Sequence, residues 1–193
     1  MGLFGRAGKG EPDDWLIVGL GNPGEKYART RHNVGEEAVR LLAERRGVTL
    51  KGGRANALVA ETRFPGPDGD ERVVLAFPIT FMNESGQAVS SLVRRYRIES
   101  PEQIIVIQDE LDLPPGELKL KAGGGLAGHN GLRSITQHLK STDYLRIRIG
   151  VGKPEHKDVG RGHVLSKVPK AERELLDVRV VDAADAAEMI IAR

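Results

Sequence analysis

Two side chains in the sequence are of the types that activate water for hydrolysis. His32 stands just before the first helical pattern, in a polar segment that also contains Tyr27 and Arg29. A histidine titrates near neutral pH and is the usual general base, although at a helix start it is more often a cap or surface residue. Asp109 follows the apolar run Ile104–Gln108. A carboxylate there can orient a histidine and stabilise its charged form, so the pair predicts general-base hydrolysis.

Asparagine side chains recur beside these two residues. Asn130 stands at the mouth of a helical pattern, after a glycine-rich stretch that begins at Gly123. Its amide and the nearby backbone N–H groups could hold an oxyanion or a sugar edge, or Asn130 could be the helix N-cap. Asn22 precedes Pro23-Gly24 and is, taken alone, a good turn residue.

The segment Gly19–Gly24 matches the G-x-G-x-x-G fingerprint of dinucleotide-binding proteins. In such proteins the loop runs directly into a helix whose N-terminus holds the pyrophosphate. Here polar Glu25–His32 separates the loop from the helical pattern, and the acid expected about 20 residues on would fall inside the helix. The pattern therefore favours another role, while an oxidoreductase remains the rival class of enzyme.

Other catalytic chemistries find little support in the sequence. There is no G-x-S-x-G, H-E-x-x-H or G-x-x-x-x-G-K-[ST] motif. The absence of cysteine excludes disulfides, thiolate zinc sites and a cysteine nucleophile. We therefore expect an enzyme that uses neither a metal nor a cofactor.

Apolar patterns that alternate between strand and helix predict the elements that position these residues. The fold class predicted is α/β: one domain with a twisted mixed β-sheet sandwiched between α-helices. The strands are predicted at Trp15–Leu20, Asn56–Thr62, Arg72–Phe77, Ile104–Gln108, Glu117–Lys121 and Leu145–Val151, with a turn at Pro65–Asp70. The helices are predicted at Asn33–Arg46, around Val89–Tyr96, after Gly131, and at Lys170–Ala192.

Residues 1–14 are polar and Gly-rich and predict a disordered leader, followed by one domain over residues 15–193. The leader has no apolar core of a signal peptide, and no run approaches the roughly 18 apolar residues that span a bilayer. We expect a soluble cytoplasmic protein without a membrane partner.

Positive charge is concentrated in one part of the chain. The segment from Leu118 to Lys170 has 11 Lys or Arg and three acids, a local charge of +8 in a chain of net charge +2. This asymmetry predicts a basic face for a polyanion, although scattered solvated lysines are an equal alternative. Aromatic residues are only 4% of the chain, too few for a base-stacking platform, so phosphate contacts are favoured.

At these residues the sequence resembles the bacterial-type peptidyl-tRNA hydrolase family over nearly the whole chain from Trp15. The resemblance rests on LIVGLGNPGEKYARTRHNVG (16–35), ITFMNESGQAV (79–89), DELDLPPGELKLKAGGG (109–125), GHNGL (128–132) and LRIRIGVG (145–152). It implies a monomer that hydrolyses the ester between a peptide and the 3′-terminal ribose of tRNA.

The resemblance also implies a role for each matching residue. His32 corresponds to the general base, Asp109 to the carboxylate that orients it, and Asn22 to the residue that reads the peptide linkage. Lys121 and Arg148 correspond to a basic clamp for a tRNA phosphate. The positions that correspond to contacts with the tRNA end and the peptide are Tyr27, Phe81, Met82, Asn83 and Asn130. Taken alone, Phe81 and Met82 would instead be core residues.

The sequence departs from the family at Leu126 and Ala127, where many relatives have histidine and glycine. This change bears on the mobility of the glycine-rich loop but leaves Asn130 in place. A non-catalytic or RNA-processing RNA-binding relative remains the alternative function, because basic residues alone would serve it.

Overall fold

The computed structural model describes residues 3–4, 11–53, 55–126, 128–154 and 160–193. Within these ranges, seven strands form one sheet in the spatial order β2-β3-β4-β1-β5-β7-β6. The strands are β1 (Trp15–Gly19), β2 (Lys51–Gly52), β3 (Ala57–Gly66), β4 (Gly69–Pro78), β5 (Ile104–Glu110), β6 (Leu118–Ala122) and β7 (Leu145–Gly150). The central strands β4, β1, β5 and β7 are parallel. Antiparallel pairing adds β3 and β2 at one side and β6 at the other, so the sheet is mixed as predicted.

Helices cover both faces of this sheet. They are α1 (Val34–Arg45), α2 (Ser85–Tyr96), α3 (Asn130–Leu139), α4 (Gly160–Leu165) and α5 (Lys170–Ala192). Apolar side chains of α1 and α5 pack on one face, and those of α2 and α3 pack on the other. The predicted single α/β domain with its sheet between helices is confirmed.

Strand β1 and the first four residues of β5, Ile104–Ile107, are apolar because both of their faces are buried. Successive side chains of a strand point to opposite faces. In β1, Leu16 and Val18 accordingly lie in the α2–α3 core, while Ile17 lies in the α1–α5 core. Such two-sided burial is typical of parallel strands. Because β1 pairs in parallel with β4 and with β5, the carboxyl ends of these three strands lie side by side, where open α/β sheets keep their sites.

Two glycines let α1 lie directly against the sheet. A Cβ atom on Gly19 would lie 2.2 Å from the carbonyl oxygen of Gly35, and one on Gly35 would lie 2.1 Å from that of Ile107. No side chain fits at either position. In this part of the fingerprint-like sequence, glycine is therefore required for helix–sheet packing, and this close packing brings the start of α1 to the end of β5.

The β3–β4 hairpin differs from the prediction in its length. The turn predicted at Pro65–Asp70 is wrong in extent, because Pro65 pairs with Asp70 and Gly66 with Gly69, which leaves a two-residue turn. Phe64 explains the continuation of the strand, since its ring is buried in the α1–α5 core beneath the guanidinium of Arg46.

The prediction of a leader over residues 1–14 stays a prediction, since residues 1–2 and 5–10 lie outside the described ranges. The backbone N–H groups of Asp13 and Asp14 donate to the carbonyl oxygens of Tyr96 and Arg72. No helix in the described part of the chain has the length and apolar character needed to cross a membrane.

Candidate active site

A cleft of about 800 Å³ opens at the carboxyl ends of the parallel strands. Segments that follow β1 and β4, the end of β5 and the start of α3 form its walls, and α4 borders it through Val164 and Leu165. Eight of the ten site residues predicted from the sequence line this one cleft: Asn22, Tyr27, His32, Phe81, Met82, Asn83, Asp109 and Asn130. The other two, Lys121 and Arg148, lie outside its lining.

The carboxylate of Asp109 lies between two imidazole rings. Nδ1 of His32 is 2.8 Å from Oδ2 of Asp109, and Nε2 of His129 is 2.9 Å from Oδ1. The two rings are themselves in contact, with centroids 5.1 Å apart. Asp109 is fully buried as a member of β5, one residue inside the strand rather than after its end as the sequence predicts.

Hydrogen bonds assign the tautomer of each histidine. Nδ1 of His129 accepts from the backbone N–H groups of Gly131 and Leu132, so the proton of this ring lies on Nε2 and is donated to Asp109. Asp109 likewise accepts from Nδ1 of His32. The Nε2 lone pair of His32 is thereby left without a hydrogen-bond partner in the described part of the chain, in a ring that lines the cleft.

His129 was not predicted as a site residue. It is the N-cap of α3, whereas Asn130 is the first residue of the helix and not its cap. The sequence offered no signal for this contact, because histidine is not among the preferred N-cap residues and the cap considered there was Asn130. The second contact of His129, with Asp109, depends on how α3 packs beside β5.

Opposing effects set the pKa values of this group. Burial acts to raise the pKa of Asp109, but attraction by His32 and His129 and their hydrogen bonds hold it well below its ordinary value. Burial acts to lower the pKa of His32, but the charge and hydrogen bond of Asp109 outweigh burial and raise it above its ordinary value of 6.5. Asp109 is therefore an anion that strengthens His32 as a base.

Asn22 is held in a single amide orientation. Its backbone N–H donates to Oδ1 of Asn33, and its carbonyl oxygen accepts from Nδ2 of Asn33. The side-chain oxygen of Asn22 accepts from the backbone N–H of Met82 at 2.8 Å. Because the oxygen is engaged, the NH₂ group remains to donate into the cleft. Asn33, which was not predicted, is fully buried beside it.

The remaining cleft residues differ in exposure. Asn83 and Asn130 are exposed polar side chains, and Tyr27 is half-buried. Met82 is buried in the α2–α3 core, as its apolar character alone predicts. Phe81 is 58% exposed, so the expectation that it is a core residue is wrong. An exposed phenylalanine on a cleft wall is a natural contact for an apolar group of a ligand.

Arg31, which directly precedes His32, anchors the loop after β1. Arg31 is buried and forms a two-pronged ion pair with Glu172 in α5, with both N···O distances at 3.0 Å. Its Nη1 atom also donates to the carbonyl oxygen of His163 and to Oγ of Ser166. These contacts tie His32 through its neighbour to α4 and α5.

Four basic side chains share one face of the β6–β7 pair. Lys119 is paired with Arg148, and Lys121 with Arg146, so all four lie on the same side of the sheet as α3. Arg148 is partly exposed and lies 3.5 Å from the carboxylate of Glu110, a buried residue that lines the cleft. Arg148 therefore lies at the rim of the cleft, with Lys119 paired beside it in β6.

The donor atoms of His32, Asp109 and His129 lie within 4.8 Å of one another, close enough for all three to bind one metal ion. In the structure the same atoms of His129 and Asp109 are joined by a direct hydrogen bond. The expectation of hydrolysis without a metal stays a prediction.

Comparison with known proteins places this geometry in context. A family model described as peptidyl-tRNA hydrolase matches residues 16–193. The peptidyl-tRNA hydrolases of Leifsonia xyli and Frankia alni are each 49% identical over 92% of this chain, and the matches cover 91% and 87% of those proteins. The crystal structure of peptidyl-tRNA hydrolase from Acinetobacter baumannii matches with a TM-score of 0.84 and 41% identity, over 94% of this chain and 91% of that one.

Proposed function

Because the chain belongs to the peptidyl-tRNA hydrolase family, it hydrolyses peptidyl-tRNA, and we propose that His32, oriented by Asp109, is the general base of that reaction. The observation that carries this proposal is the short contact between Nδ1 of His32 and Asp109. It leaves the Nε2 lone pair of the ring free to take a proton from water in the cleft.

In the first step, Nε2 of His32 removes a proton from water as the water oxygen bonds to the ester carbonyl carbon. The carbonyl π electrons move to oxygen and form a tetrahedral oxyanion. In the second step, the bond between that carbon and the ribose oxygen breaks, and the ribose oxygen takes the proton from His32. The products are a peptide acid and tRNA with a free 3′-terminal hydroxyl. Asp109 stabilises the transient imidazolium without becoming protonated.

Asparagine amides supply the polar contacts that this reaction requires. We assign the free NH₂ group of Asn22 to the carbonyl of the peptide linkage, which is present in blocked and absent in unblocked aminoacyl-tRNA. We assign the side-chain amide of Asn130, which lines the cleft, to the stabilisation of the oxyanion. Asn83 and Tyr27 contact the tRNA end, and Phe81 and Met82 form an apolar wall for the peptide.

Lys121 and Arg148 bind a phosphate of the tRNA. This assignment is supported by their position on the same face of the β6–β7 pair and by the closeness of Arg148 to Glu110, which lines the cleft. Phosphate contacts of this kind position a nucleic acid without reading its sequence. We further propose that the protein acts as a monomer in the cytoplasm and needs no metal or cofactor.

The test compares N-acetylated with unblocked aminoacyl-tRNA as substrates, both in the presence of EDTA. The wild-type protein should cleave only the blocked substrate. His32→Ala should lower kcat by about 10²–10⁴-fold, because the general base is lost. His138→Ala is the matched control, since His138 lies on α3 with its Nδ1 atom 2.9 Å from a carbonyl oxygen of the same helix.

Two results would contradict the proposal. Full activity of His32→Ala would show that His32 is not the general base. Loss of wild-type activity with EDTA would show that a metal takes part. Binding of tRNA without cleavage of either substrate would instead favour the RNA-binding alternative.

A further inference from the structure

A buried guanidinium lies beneath the glycine-rich loop that precedes α3. Arg146, in β7, is only 2% exposed. Its Nη2 atom donates to the carbonyl oxygens of Gly123 and Gly124, both at 2.8 Å, and its Nη1 atom donates to that of Gly125. Three successive carbonyl groups of the chain therefore converge on one side chain.

This convergence depends on the backbone of the loop. Gly123 and Gly124 have φ values of 68° and 86°, a region that side-chain-bearing residues rarely adopt. Within the described residues, no carboxylate forms an ion pair with Arg146. Its charge is met by the carbonyl oxygens and by the ring of Tyr144, whose centroid is 5.3 Å away.

The loop leads directly to groups at the candidate active site. The loop is followed in the sequence by His129, which forms a hydrogen bond with Asp109, and then by Asn130, which lines the cleft. We propose that Arg146 is a positioning residue of the hydrolase reaction. By binding Gly123–Gly125 it fixes the path of the loop, and so the placement of His129 and Asn130. This inference rests on the proposed function.

Arg148 provides the contrast that defines this role. It lies two residues further along β7 on the same face, is partly exposed, and faces Glu110 at the rim of the cleft. Arg146 is buried with both Nη atoms bonded to the loop, so it does not reach a tRNA phosphate. Loss of Arg146 should therefore lower kcat, whereas loss of a phosphate contact raises KM and weakens its dependence on salt.

The experiment measures kcat and KM on N-acetylated aminoacyl-tRNA at several salt concentrations. Arg146→Met keeps the bulk of the side chain without its donors, and we expect kcat to fall about 10²-fold, the effect of a small misplacement of catalytic groups. Arg146→Lys keeps the charge but cannot span three carbonyls, and we expect a fall of about tenfold. The salt dependence of KM should match that of the wild type. Arg45→Lys is the control, because Arg45 is the last residue of α1 and, within the described residues, its ion pairs are with Asp185 and Glu188 of α5.

Amide hydrogen exchange gives a second readout that does not require catalysis. The N–H groups of Gly131 and Leu132 donate to His129, so their exchange should accelerate in both Arg146 variants. Exchange of the β1 amides should remain unchanged and report an intact sheet. Because Arg146→Lys is conservative, it tests the inference even if Arg146→Met does not fold.

The inference is overturned if KM rises with a weaker salt dependence while kcat holds, or if Gly131 and Leu132 keep wild-type exchange. If the wild-type protein cleaves no ester, the proposed function fails, but the exchange experiment still tests whether Arg146 holds the loop.

Discussion

At the scale of single residues, one carboxylate serves two imidazoles with different tasks. Asp109 binds Nδ1 of His32 and leaves the opposite nitrogen of that ring facing the cleft. It binds Nε2 of His129, whose other nitrogen caps α3. His129 therefore has both ring nitrogens engaged, and His32 is the member of the pair able to exchange a proton with water.

The raised pKa of His32 predicts how activity depends on pH. A general base must be neutral, so kcat/KM should fall as the pH drops through the His32 pKa, which lies above the ordinary value of 6.5. Asp109→Asn removes the charge that raises this pKa but leaves the burial that lowers it. The midpoint should therefore move to lower pH, and the plateau should fall by about 10⁴-fold because an amide in place of the carboxylate favours the wrong tautomer of the ring.

A pH–rate profile on blocked aminoacyl-tRNA, corrected for spontaneous ester loss, measures both effects. Asp185→Asn is the control, since Asp185 is exposed on α5 and should leave the midpoint in place. An unchanged midpoint in Asp109→Asn would mean that the charge of Asp109 does not set the pKa.

Single residues also show how far the sequence predicts the site. His32 and Asp109 could be selected because each adjoins a regular pattern and has a side chain suited to acid–base chemistry. His129, Asn33 and Arg146 could not, since their roles consist of contacts with distant segments. Arg146 in particular stands between Leu145 and Ile147 in β7, and the sequence indicates only a basic residue on a strand.

At the scale of elements, the approach of α1 to the sheet sets the distance between His32 and Asp109. Gly35→Ala would place a Cβ atom 2.1 Å from the backbone oxygen of Ile107, so the helix or the strand must move. We expect a loss of about 3 kcal/mol in the free energy of unfolding, at the upper end for overpacking. The activity should fall as well, because His32 lies in the short turn Arg31–Asn33 that leads directly into α1.

Urea denaturation measures the loss of stability as a shift of the midpoint. Gly53→Ala is the matched control, since a Cβ atom on Gly53 would meet nothing within 4 Å. Equal stability of Gly35→Ala and the wild type would show that α1 can shift away from the sheet without cost.

Strands and helices were predicted well where both faces of a strand are buried or where apolar residues recur at helical spacing. β1 and β5 read as continuous apolar runs, and α5 is found at the predicted Lys170–Ala192. The hairpin was predicted too short because Pro65 and Gly66 indicate a turn, whereas the buried ring of Phe64 keeps the strand in place. The short helix α4 was missed, since His163 there is held by the carbonyl oxygens of Val151 and Gly152 rather than by a local pattern.

At the scale of the whole molecule, part of the positive charge that the sequence concentrates between Leu118 and Lys170 lies on strands β6 and β7. Lys119, Lys121 and Arg148 lie on one face of the β6–β7 pair, at the edge of the sheet that β6 forms, and β2 forms the opposite edge. Binding of tRNA should therefore weaken with salt through contacts at the β6–β7 edge, because counterions are released there.

Replacement of both Lys121 and Arg148 by Ala should raise KM and make its logarithmic salt dependence shallower by roughly 1 to 2 units. The measurement is KM for blocked aminoacyl-tRNA between about 50 and 200 mM salt. Lys51→Ala, on the exposed β2 edge, should leave this dependence unchanged. A double variant with the wild-type slope would place the phosphate contacts elsewhere.

The anchor between Arg31 and Glu172 joins positions 141 residues apart. Helix α5 follows all seven described strands, so a ribosome makes His32, Asp109 and the sheet before the helix that holds the loop of His32. While it is being made, this polypeptide is itself joined to a tRNA by the kind of ester that its family cleaves. An unfinished copy lacks the ion pair that anchors this loop and the part of the sheet's cover that α5 supplies beside α1, so we expect the cleft to be completed only after α5 has been made.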